Sequence, residues 1–171
     1  MSDLKLSGYK GEVIGVSVNM QRSSSPIRVL ATDYDKLVSL HGEQVANNCI
    51  VEVSYGFFIP TGYSVLEALP IRSTSGLSFS SKINDSLPVD GARQIASDFI
   101  FVGEQEAFAV LNITVRDSSG RAVNTIGGLK VPYRKGYITT VKGGFLASES
   151  SPDIGLDIEF DEDINIDLDN N

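Results

Sequence analysis

The sequence predicts an all-β chain, an antiparallel β-sandwich with one or two short helical turns. Apolar and polar residues alternate with period two from one end to the other, as strands with one buried and one wet face require. Clusters of Gly, Asn, Asp, Ser and Pro separate these runs, while sustained helical periodicity is almost absent. A chain of 171 residues holds one substantial core, so residues 1–171 are read as a single domain, with room for it to be the C-terminal domain of a longer exported protein.

In chain order the expected strands are 12–20, 27–32, 49–58, 63–66, 77–83, 98–102, 106–116, 129–131, 137–147 and 155–167. The punctuation between them has its own chemistry. Asp117-Ser118-Ser119-Gly120 pairs an Asx-type acceptor with a Gly able to take positive φ, the tip of a hairpin that would set Val115 near Val123. Ile59-Pro60-Thr61-Gly62 is expected to break a strand, and Ile126-Gly127-Gly128 to bend or bulge the chain. Short helical turns are expected at residues 33–38, with Asp33 as N-cap, and at residues 90–96.

Composition narrows the function. Hydrophobic residues make up 42% and charged residues 21%, the balance of a chain that folds. Lys plus Arg number 14 against 22 Asp plus Glu, a net charge of −8, which repels polyanions and disfavours nucleic acid or an anionic membrane as partner. The lone cysteine, Cys49, reads as a small buried hydrophobe that packing alone must accommodate. No apolar run reaches the length of a membrane span, and Met1-Ser2-Asp3-Leu4-Lys5-Leu6 lacks a signal-peptide core, so an exported form would need a targeting segment beyond this sequence.

Catalytic residues are not expected. The lone histidine, His41, is expected in a polar loop, Leu40-His41-Gly42-Glu43-Gln44, where a solvated side chain is the natural reading. Neither a nucleophile elbow nor a phosphate-binding glycine loop is present, and one Cys with one His does not furnish a zinc site. Asp161, Asp163, Asn165 and Asp167 have the spacing of early calcium ligands. However, Ile158, Phe160, Ile164, Ile166 and Leu168 fill the complementary positions, which makes this a half-buried strand, and no metal or cofactor is expected.

The last third of the chain supplies a resemblance. Val131-Pro132-Tyr133-Arg134-Lys135-Gly136-Tyr137-Ile138-Thr139-Thr140, running on to Gly143-Gly144-Phe145-Leu146 and then Ile158-Glu159-Phe160-Asp161, resembles the closing strands of fimbrillin-like surface proteins of Bacteroides-type bacteria. Met20-Gln21-Arg22 leading into Arg28-Val29-Leu30-Ala31-Thr32-Asp33, Pro60-Thr61-Gly62-Tyr63-Ser64-Val65-Leu66 and Asp98-Phe99-Ile100-Phe101-Val102 follow in the family's order, so the likeness runs from about Val16 to Leu168. Ser23 stands where the family often has Pro, and a single sandwich is visible where pilus subunits usually have two.

The resemblance implies a transthyretin-like sandwich at the cell surface or outer membrane, held there through a lipid anchor absent from this sequence. It implies a non-enzymatic structural or adhesive role: a pilus subunit or associated component assembling with homologous subunits by β-strand addition, with residues 12–20 and 155–168 as the strands to exchange. The alternative is a surface module for glycan or host protein that does not polymerise. Exposed aromatics would serve that role, with Tyr63, Tyr133 and Tyr34 the candidate contacts and Phe57 and Phe58 beside them.

Overall fold

The computed structural model describes Gly11, residues 22–147 and, as backbone, residues 157–162. The expected strand at 12–20 lies outside the described residues. Within them the chain is an all-β sandwich. Its strands are β1 (Ser24–Ala31), β2 (Ile50–Tyr55), β3 (Ile59–Ser64), β4 (Leu69–Thr74), β5 (Ser78–Lys82), β6 (Leu87–Val89), β7 (Ala92–Phe101), β8 (Ala107–Arg116), β9 (Ala122–Tyr133), β10 (Tyr137–Gly143) and β11 (Asp157–Glu162). Helices α1 (Tyr34–His41) and α2 (Glu43–Asn47) follow β1.

One sheet has the order β11-β10-β1-β7-β6 and the other β5-β2-β8-β9, while β3 and β4 form a separate two-stranded ribbon. The ladders are antiparallel except where β1 runs parallel to β10. Alternation builds the core between the sheets. On β8, Ala109, Leu111, Ile113 and Val115 are buried while their neighbours are not, and on β2 the buried set is Val51, Val53 and Tyr55. Ile27, Val29 and Ala31 of β1 face them from the other sheet, each large aliphatic side chain contributing roughly 1.5–3 kcal/mol by leaving water.

A register shift where Val29 faces Ala96 and Leu30 faces Gln94 leaves Ile95 as an extra residue on β7. Consecutive Ile95 and Ala96 are therefore both buried, and the Ser81 hydroxyl donates to the Ile95 carbonyl at 2.6 Å. Tyr55 ties the sheets together, its hydroxyl donating to Asp98 Oδ2 at 2.6 Å.

Several expectations are corrected. Residues 90–96 are not helical: Asp90 (φ 45°) and Gly91 (φ 76°) form the two-residue turn joining β6 to β7, because two consecutive positive-φ residues suit a tight hairpin. Ile59-Pro60-Thr61-Gly62 does not break a strand; it opens β3, and Pro60 is tolerated because the ribbon leaves β3 with one ladder to satisfy. The break falls earlier, at Gly56-Phe57-Phe58, and the strand expected at 63–66 ends at Ser64, leaving Val65 and Leu66 in a turn. His41 is the exposed last residue of α1 rather than part of a loop.

The hairpin tip at Asp117–Gly120 forms as expected, with Gly120 at φ 84°. Its register places Val115 opposite Asn124, one residue beyond Val123. The glycine bulge also forms: Leu111 faces Leu129 while Ile113 faces Ile126, and Gly128 (φ 74°) donates its N–H to Asn112 Oδ1. The last predicted strand is present as β11, and the rest of that prediction, including Asp163, Asn165 and Asp167, lies outside the described residues.

Asp33 begins α1 without capping it through its side chain. Its carboxylate reaches across the fold instead and accepts the backbone N–H groups of Phe145, Leu146 and Ala147 at 2.8–3.1 Å. That contact fixes the chain as it leaves β10.

Candidate interaction surface

The ribbon β3–β4 leans on the sandwich by one face and presents the other to water. Register puts Tyr63 opposite Pro70 on one face, and Gly62–Ile71 and Ser64–Leu69 on the other. On the inner face the Tyr63 ring stacks on Phe101 of β7, centroids 6.1 Å apart and planes at 29°. Buried Ile59 fastens the base. Gly103, just after β7, lies against Pro70 and Leu69 of β4, which marks where the ribbon meets the sandwich.

The outward side is apolar. Val65 and Leu66, in the turn at the ribbon's tip, are 73% and 79% exposed, and Leu69 and Ile71 follow at 50% and 38%. Phe57 and Phe58, leading into the ribbon's base, are 66% and 67% exposed. Arg72 adopts φ 56° within β4 and Pro70 lacks an N–H, so the outer edge of the ribbon is a poor template for another strand. Side chains rather than backbone are what this surface offers.

The three tyrosines expected to contact a partner do not converge. Tyr63 belongs to the ribbon, half-buried by Phe101. Tyr34 sits at the start of α1, its hydroxyl donating to Asn47 Oδ1 at 2.6 Å and its ring under the Arg93 guanidinium, 3.7 Å from the centroid. Arg93 and Phe101 are eight positions apart on β7, roughly 25 Å along a strand, which separates Tyr34 from Tyr63 by about the same distance. Tyr133 is 4% exposed and packs in the core; its place two residues beyond buried Val131 and four beyond buried Leu129 turns it inward. Burial pushes its phenol above the ordinary tyrosine range.

Phe57 and Phe58 are thus the aromatic candidates most open to solvent, and Val65, Leu66, Leu69 and Ile71 join them without having been singled out from sequence. Their signal was the apolar run Val65-Leu66-Glu67-Ala68-Leu69-Pro70-Ile71, in which Pro70 obscures the second strand. Among the described residues no group of three His, Cys, Asp or Glu side chains is placed to hold a metal ion.

A family model described as "Family of unknown function (DUF6562)" matches residues 1–170. No curated protein matches the chain. Among solved structures, a candidate cell adhesion protein of Bacteroides ovatus is similar at 15% identity with a TM-score of 0.40, over 86% of this chain and 47% of that one. The chain therefore spans about half the length of the structure it matches.

Proposed function

We propose that this chain, which belongs to the DUF6562 family, is a non-enzymatic adhesive or structural module of the cell surface, binding a protein partner through the β3–β4 ribbon. The observation that carries the reading is the solvent exposure of Val65, Leu66, Leu69 and Ile71 on the ribbon and of Phe57 and Phe58 leading into its base. Scattered apolar residues on a surface need no explanation, whereas four large ones on one two-stranded ribbon with two more leading into its base mark a contact surface. The setting is the bacterial surface, with a lipid anchor at the outer membrane. It is supported by the likeness of the closing strands to fimbrillin-like proteins.

The test is retention of the purified chain on surfaces coated with bacterial cells, host cells or matrix proteins. Replacing Leu66 by Asp places a charge at the tip and leaves the core untouched. A hot-spot side chain worth roughly 2 kcal/mol predicts a loss of about thirtyfold in affinity. Equal retention of wild type and Leu66→Asp on every surface that binds would sink the reading.

Assembly by β-strand addition is a second mode, favoured by a specific observation. β11 and β5 lie at the ends of their sheets and contain no proline, while the end strands β6 and β9 carry Pro88 and Pro132; of the two, β11 is the strand that belongs to the last part of the chain. Thr140 and Glu159 are register partners, so Thr140→Cys with Glu159→Cys staples β11 to its own β10. Strand exchange predicts multimers from the reduced double variant and monomers from the oxidised one. Multimers in both states would exclude exchange of this strand.

A further inference from the structure

The opposite end of the sandwich from the ribbon's base carries a second, chemically different site. Ile50 and Glu52 of β2 share a face with Ser80 and Ser78 of β5, since Glu52 pairs with Ser80 and the intervening Val51 and Val53 are buried. Arg116, which pairs with Ile50 at the end of β8, joins them, and the turn at Asp117–Gly120 walls the end of the resulting groove. Its volume is about 360 Å³, at the lower end of roughly 300–1,000 Å³ for small-molecule sites.

The polar groups are only partly used by the protein. Arg116 Nε donates to Glu52 Oε2 at 3.2 Å and Nη1 donates to the Gly120 carbonyl at 3.3 Å. Arg116 Nη2 and Glu52 Oε1 have no hydrogen-bond partner among the described residues, nor do the hydroxyls of Ser78, Ser80 and Ser118. Asp117 is committed: its Oδ1 accepts from the N–H groups of Ser119 and Arg121 and from the Ser119 hydroxyl, and its Oδ2 from Arg121 Nε.

We infer that this groove binds a neutral saccharide, taking the exposed end of a glycan chain. Neighbouring ring hydroxyls each donate and accept, and a carboxylate beside a guanidinium satisfies such a pair by accepting from one and donating to the other. Ile50, 37% exposed, offers an apolar patch for the C–H face of a sugar ring. The charges that line the groove are paired, Glu52 with Arg116 and Asp117 with Arg121, while Lys82, the register partner of Ile50, stands on the same face outside the lining, so no lone charge inside the groove selects an ion. An open groove with so few contacts is a weak site, with Kd of about 1 mM for a monosaccharide.

The experiment is an NMR titration of the ¹⁵N-labelled full chain with methyl glycosides of glucose, galactose, mannose and N-acetylglucosamine. At least one glycoside shifts the amides of Ser80, Ser118 and Gly120 while Gly62 on the ribbon stays still. Glu52→Gln and Arg116→Lys, each judged folded by its own spectrum, weaken that response about tenfold, whereas Leu66→Asp leaves it unchanged. The inference is overturned by silence of these amides towards all four sugars, by an undiminished response in both groove variants, or by methyl glucuronide binding more tightly than methyl glucoside. Because the ribbon variant is the control, loss of the groove does not touch the adhesion reading, and loss of adhesion does not touch the groove.

Discussion

At the scale of single residues, Asp33 bears the most on stability. Phe145 and Leu146 are fully buried, so their backbone N–H groups have the Asp33 carboxylate as partner in place of water. Asp33→Ala leaves the donors of residues 145–147 unpaired and is expected to cost about 3 kcal/mol, read from urea denaturation. Asp33→Asn keeps one acceptor oxygen and nearly the same volume and should lose less; equal losses would show that a single neutral acceptor contributes nothing here. Tyr55 and Tyr133 make a second prediction. Burial, then the hydrogen bond and charge of Asp98, raise the Tyr55 phenol far above its ordinary range, and burial alone raises Tyr133. The unfolded chain releases these protons first, near pH 10, so their contribution is intact below that pH and is lost as pH rises above it. Stability should fall steeply above about pH 10, and the slope should lessen in Tyr55→Phe and Tyr133→Phe. Titration of Tyr55 and Tyr133 near pH 10, with the fold unaffected, would contradict this.

At the scale of elements, a two-stranded ribbon is marginal by itself, so β3–β4 depends on what it leans against. Tyr63→Ala removes the stack on Phe101, worth about 0.5–1.5 kcal/mol beyond its area, and should open the ribbon locally. Hydrogen exchange should accelerate about tenfold at residues 59–74 and stay unchanged on β8; uniform acceleration would show that the ribbon unfolds only with the whole domain. The same elements show what was legible. β8 and β2 could be read directly because strict alternation survives to their ends. β4 and β6 could not, because Pro70 and Pro88 sit within short runs, and proline counts against a strand unless its edge position is known. Asp90-Gly91 misled because an Asp ahead of a mixed apolar run marks a helix start as well as a hairpin. The Leu129-Val131-Tyr133 alternation already carried the inward turn of Tyr133, whereas the reach of Asp33 to a segment more than 110 residues away had no local signal. The groove was illegible for the same reason: β2, β5 and the β8–β9 turn meet only through non-local pairing.

At the scale of the whole molecule, charge sets the terms on which copies of the chain approach one another. The net charge is −8, and β11 alone holds Asp157, Glu159, Asp161 and Glu162 among its six residues. A strand of this composition entering a neighbour's sheet brings acidic side chains towards an acidic body, and repulsion between like charges slows the encounter and weakens the product. Backbone hydrogen bonding and apolar burial must supply the attraction, and neither is screened by salt. Between about 10 mM and 1 M salt the screening length falls from roughly 30 Å to 3 Å, so assembly by strand addition should become faster and more extensive with ionic strength, as followed by sedimentation velocity. Leu66→Asp should assemble like wild type, because the ribbon takes no part in the exchange. Dissociation of multimers by added salt would mean that opposite charges hold them together, and would overturn assembly driven by backbone pairing and apolar burial.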